Sequence, residues 1–135
     1  MRNFILVACL VGCSLGGCGD VSLTALTPPP PGKIATLDDE HQTLEISRGI
    51  AFAFECLSTN DSYSGPCRDA TAVAGDEGIV NVFPGYLDTL AQSWDDGASG
   101  PRSRTAFVVV ALTAGVTDLV VTTSEGDVNL EVTVR

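Results

Sequence analysis

The chain predicts an all-β fold, a β-sandwich of seven or eight short strands. Three observations predict it. Short stretches rich in β-branched and aromatic residues alternate apolar with polar, the period of a half-buried strand. Clusters of Gly, Asp, Ser and Pro interrupt them at regular spacing. Helical spacing shows once in the body of the chain, at Leu87, Leu90 and Ala91.

The strands follow in order. Leu44 and Ile46 alternate with Glu45 and Ser47. Ile50, Phe52, Phe54 and Cys56 then share one face, and Ala51, Ala53 and Glu55 the other, which sets Cys56 near the core edge. Residues 69–74 and 79–83 read as strands around the turn Gly75-Asp76-Glu77-Gly78. Residues 86–94 read as a strand followed by a long loop, with a short helix as the alternative. Residues 107–112 form a continuous apolar run, which suits a strand buried on both sides or in a sandwich centre. Gly115 breaks it. Residues 119–123 and the alternating Val128, Leu130, Val132 and Val134 form a hairpin about Ser124-Glu125-Gly126-Asp127, with Asn129, Glu131 and Thr133 outward.

The first residues have another purpose. Met1-Arg2-Asn3 carries one positive charge, and residues 4–15 are mostly apolar. As a helix, such a run covers about 18 Å at roughly 1.5 Å per residue, too short for roughly 30 Å of hydrocarbon. A charged start, a short apolar core and small residues after it make a secretory signal. Leu15-Gly16-Gly17-Cys18 resembles the lipobox of bacterial lipoproteins. That resemblance implies cleavage after residue 17 and two acyl chains on Cys18, which hold a bilayer far better than one. Leu10-Val11-Gly12-Cys13 is a rival box that leaves a shorter apolar core and would make Cys13 the modified residue. By the sorting rule of such lipoproteins, Gly19 lacks the aspartate that retains a protein in the inner membrane. The expected location is the cell envelope, lipid-anchored in the outer membrane where the cell has one.

Pro28-Pro29-Pro30-Pro31-Gly32 favours polyproline II and forbids helix or inner strand. The expected organisation is a signal peptide at 1–17, a lipidated Cys18 with a Pro-rich tether over 18–32, and one folded domain over 33–135. Of five cysteines, Cys9 and Cys13 leave with the signal and Cys18 takes lipid. Cys56 and Cys67 remain as an even pair in an oxidising compartment, around a polar, turn-rich segment. A disulfide between them would pin that segment and contribute roughly 3 kcal/mol in the chain-entropy model.

The formal net charge is −10, and about −11 once Arg2 is removed. Such a balance argues against nucleic acid and anionic headgroups as partners, because both need clustered Lys and Arg.

Two phrases carry a resemblance. Ala72-Val73-Ala74-Gly75-Asp76-Glu77-Gly78-Ile79-Val80-Asn81-Val82 is followed by a second phrase over residues 107–122, in which Leu112, Ala114, Gly115 and Thr117 form a Leu-x-Ala-Gly-x-Thr turn. Over about residues 42–134 the chain resembles the bacterial immunoglobulin-like domains of group 2, found in invasin-type adhesins and surface lipoproteins. The resemblance implies an immunoglobulin-like sandwich and a surface role. That family shares no catalytic residues. The Cys56–Cys67 insert and the stretch at 85–104 lie outside its usual pattern.

Catalytic and metal chemistry find little to stand on. His41, the one histidine, sits in Asp38-Asp39-Glu40-His41, a charged turn, with no Gly-x-Ser-x-Gly elbow to partner it. Asp95-Asp96 lies in an acidic loop without EF-hand spacing, and two Cys with one His do not give zinc spacing. The expectation is no enzyme, no cofactor and no metal. Trp94, Tyr86 and Tyr63 fall in or near loops and could anchor a protein or glycan partner. The disulfide loop and the 85–104 loop are the first places to look for one. The functional expectation is a lipid-anchored binding or structural module. The alternative is an accessory subunit of an envelope complex with no ligand of its own.

Overall fold

A computed structural model describes residues 20–60, 63–88 and 103–135. It contains ten strands: β1 (Asp20–Ala25), β2 (Ala35–Asp38), β3 (Thr43–Ile46), β4 (Ala51–Asn60), β5 (Tyr63–Pro66), β6 (Thr71–Ala74), β7 (Val80–Asp88), β8 (Ser103–Ala111), β9 (Gly115–Thr122) and β10 (Asp127–Val134). One sheet runs β1-β4-β8-β7, with β5 paired to the far part of β4, and the other runs β2-β3-β10-β9-β6. In immunoglobulin lettering the first path is A-B-E-D, and β6, β9 and β10 stand as C, F and G. The expected immunoglobulin-like sandwich is therefore present, with ten strands among the described residues where seven or eight were expected. All pairings are antiparallel except β3 with β10, which is parallel.

Period-two patterning builds the core. Leu119, Val121, Leu130 and Val132 from one sheet are fully buried, as are Phe54, Cys56 and Val109 from the other. Phe54 and Phe107 are register partners, and their rings lie 5.6 Å apart with a 39° tilt. The apolar run at 107–112 alternates after all. Phe107, Val109 and Ala111 are buried, whereas Val108 and Val110 are half-buried on the outer face and Leu112 is exposed.

Three short strands, β1, β2 and β5, were not expected from the pattern. The first corrects the domain boundary. The expected tether includes residues 20–25, but Asp20–Ala25 pairs with β4 along its whole length and buries Leu23. The reason is tertiary: a six-residue segment with only Val21, Leu23 and Ala25 as apolar positions is weak alone, and the free edge of β4 completes it. The prolines do not lift the domain. They lie between β1 in one sheet and β2 in the other, where the lack of N–H donors ends strand pairing and lets the chain change layers. The strand expected at 69–74 begins at Thr71, because Asp69 adopts φ 51° in the preceding turn. The stretch at 85–104 is not all loop, since β7 continues to Asp88 and β8 starts at Ser103. Residues 86–88 are strand, as expected, while 89–94 lie outside the described residues.

Gly115 is the first residue of β9 and not the turn itself. Its φ of 158° is one that L side chains rarely adopt, and a Cβ there would also stand 2.9 Å from Ile79 Cδ1, so both favour glycine. The two phrases that carried the resemblance meet at this point. The Ile79 carbonyl accepts from the N–H groups of Leu112 and Thr113, Gly75 N–H donates to Asp118 O (2.8 Å), and Asp76 N–H donates to Thr117 Oγ1 (2.8 Å).

Candidate functional site

Cysteine spacing makes the most distinctive local structure. β4 is ten residues long and outruns β8, whose pairing to it stops at Glu55↔Ala106. β5 folds back to cover the remainder, from Leu57↔Pro66 to Asn60↔Tyr63. Cys56 and Cys67 face each other at the base of this hairpin, joined by a disulfide with Cα atoms 5.4 Å apart. Cys67 N–H also donates to Cys56 O at 3.0 Å. Both cysteines are buried, so the bridge belongs to the core as much as to the loop.

The chain leaving Cys67 is tied to the β9–β10 turn in the opposite sheet. Arg68 Nε donates to Glu125 Oε1 (2.6 Å), Arg68 N–H donates to Glu125 Oε2 (3.2 Å), and Ser124 N–H donates to Arg68 O (3.1 Å). Ser124 Oγ donates to Asp69 Oδ2 at 2.9 Å. The Glu125 side chain is 3% exposed, whereas that of Arg68 is 58% exposed. Burial acts to raise the Glu125 carboxyl, but the hydrogen bonds and charge of Arg68 outweigh it and hold it below the ordinary value of about 4.5. A carboxyl lowered on folding contributes stability that is complete above its unfolded value and disappears as pH falls through the folded one. Glu125→Gln is expected to cost about 1 kcal/mol at pH 7 and to shrink the stability lost between pH 5 and pH 3. Urea midpoints at both pH values check this; an unchanged acid dependence would remove Glu125 from the account.

The acidic turn forms a small closed unit of its own. His41 N–H donates to Asp38 Oδ1, and His41 Nδ1 lies 2.9 Å from Asp38 Oδ2. The backbone N–H of His41 first, and then its ring, lower the Asp38 carboxyl. Asp39 turns the other way and accepts the Leu23 N–H at 2.9 Å, which links β1 to the β2–β3 turn. Among the described residues no three His, Cys, Asp or Glu side chains gather as a metal-binding group. Asp95, Asp96, Trp94 and Cys18 lie outside the described residues. Tyr63 begins β5 and Tyr86 lies in β7.

One surface escaped the sequence. A shallow groove of about 300 Å³ runs between the edge strands β6 and β7, lined by Ala72, Val73, Ala74, Glu77, Asn81, Val82 and Phe83. Val73 and Phe83 are more than half exposed there. Sequence patterning could hint at it only through Phe83, which sits on the outward register of its strand beside Pro84.

The arrangement defines a class, an immunoglobulin-like sandwich with a disulfide-closed hairpin at one end. No protein-family model matches the chain, and no curated protein matches it. Solved structures do. Domains 4 and 5 of the S-layer protein SbsC match with a TM-score of 0.50 and 10% identity, over 76% of this chain and 53% of that one. A structure of SbsC domains 5–6 gives a TM-score of 0.50 and 10% identity over 77% of this chain and 45% of that one. One of domains 4–9 gives 0.50 and 11% over 93% and 23%. The chain thus spans about half or less of those structures, and at this identity the likeness is one of fold.

Proposed function

We propose that the protein is a lipid-anchored cell-surface module of the group 2 bacterial immunoglobulin-like type, structural or binding in role and without catalytic chemistry. The observation that carries this is the buried Cys56–Cys67 disulfide within an immunoglobulin-like sandwich, a bond suited to an oxidising compartment. The signal-like start with Cys18 supports export and acylation, and the fold shared with S-layer domains supports a surface role. A protein or glycan is the proposed partner. The accessory-subunit reading differs in that the purified domain would bind nothing alone and co-purify with envelope proteins. Crosslinking in intact cells followed by pull-down separates the two. Anchoring has a direct test: Cys18→Ser is expected to abolish acyl labelling and shift the protein to the soluble envelope fraction. Unchanged membrane retention would refute the anchor.

A further inference from the structure

The position of β1 has a geometric consequence for how an anchored protein would stand. Asp20 opposes Thr59 near the end of β4, one pair from the last of the β5 hairpin, Asn60↔Tyr63. The same end holds Asp88 opposite Ser103, and Thr122 opposite Asp127 flanking the β9–β10 turn. The Arg68–Glu125 pair joins the two sheets there, and a Cβ on Gly126 would lie 3.9 Å from Val21. The opposite end holds the turns at 47–50, 75–79 and 112–114, tied by Gly49 N–H to Ala111 O and Leu112 N–H to Ile79 O. The C-terminal Arg135 closes that end, its carbonyl accepting from Arg48 N–H.

Cys18 is two residues before β1. Whatever its conformation, such a link spans at most about 7 Å. A free tether to residue 32, in polyproline II form, would have reached about 43 Å. We propose that the disulfide-hairpin end of the sandwich stands directly against the lipid surface, and that the opposite end, with the turns at 75–79 and 112–114, faces away. The proposal rests on Cys18 being the acylated residue. It makes the hairpin a bilayer-facing surface, so a partner arriving from outside would meet the far turns or the β6–β7 groove. Eight-residue β9 sets the scale: about 23 Å separate its two ends.

The test uses the full-length acylated protein in phosphatidylcholine vesicles that carry a headgroup spin label. Two single-site variants, Thr122→Cys at the near end and Thr113→Cys at the far end, are labelled with a fluorophore; both positions are exposed. Quenching by the headgroup label is expected to be at least twofold greater at Thr122→Cys. A Gly/Ser spacer of about 14 residues inserted before Asp20 should erase the difference. Equal or reversed quenching in acylated protein overturns the orientation. Intact mass is measured first: a chain without acyl groups on Cys18 refutes the anchor itself, a separate outcome. Should Thr122→Cys fail to fold, Asp127→Cys marks the same end.

Discussion

Phe54→Ala is expected to destabilise the sandwich by about 3–5 kcal/mol, the range for truncating a buried aromatic. Phe54 is fully buried in β4, next to β8, and its ring lies against Phe107. Removing it deletes apolar burial from the centre of the A-B-E-D sheet and leaves a cavity that a paired β-scaffold cannot collapse to fill. Domains of this size have total stabilities of about 5–15 kcal/mol, so the variant would stand near its unfolding threshold. Phe54→Leu keeps most of the volume and should lose about half as much or less. Urea titration followed by near-ultraviolet circular dichroism reads both. A shift below about 1 kcal/mol for the alanine variant would show that the two sheets do not pack on this ring.

Loss of the Cys56–Cys67 bridge has the second largest expected effect. The residues are 11 apart in sequence, and closing a loop of that length contributes roughly 3 kcal/mol in the chain-entropy model. The double replacement Cys56→Ala/Cys67→Ala should lower the urea midpoint by an equivalent of about 2–4 kcal/mol. It should also raise proteolysis between residues 57 and 66, because among the described residues β5 pairs with β4 alone. Both sulfurs are buried, so reductant should reach the native protein slowly and act fast only in urea. Equal stability of oxidised and reduced protein would contradict this.

The strands that the sequence made legible share one property. β3, the inner half of β4, β9 and β10 each put at least two large apolar residues on one face, so burial alone fixes their register. The strands it hid are β1, β2 and β5, which are short, polar and bound to a neighbour's free edge. A segment such as Asp20–Ala25 gains its stability from six register pairs with β4 and from the Asp39–Leu23 hydrogen bond. Neither is visible in local composition. The cysteine pair was legible because the expected export signal and the lipobox resemblance at Cys18 leave Cys56 and Cys67 as an even pair. The Arg68–Glu125 pair was not, since 57 residues separate its members. Gly115 was legible as a break in the apolar run, and its positive φ of 158° agrees; the approach of Ile79 from the 75–79 turn was not legible.

The sequence by itself determined the all-β class and the alternation that splits each main strand into core and solvent faces, and it pointed to Cys56 and Cys67 as the pair. The first two follow from periodicity, a property of neighbours along a chain. Only the tertiary structure decided that residues 20–25 join a sheet, which end carries the hairpin, and that the prolines join two layers. Those depend on which strand edges remain unpaired after the core has closed, and hydrogen bonding to an open edge can recruit a segment whose own residues would never specify it.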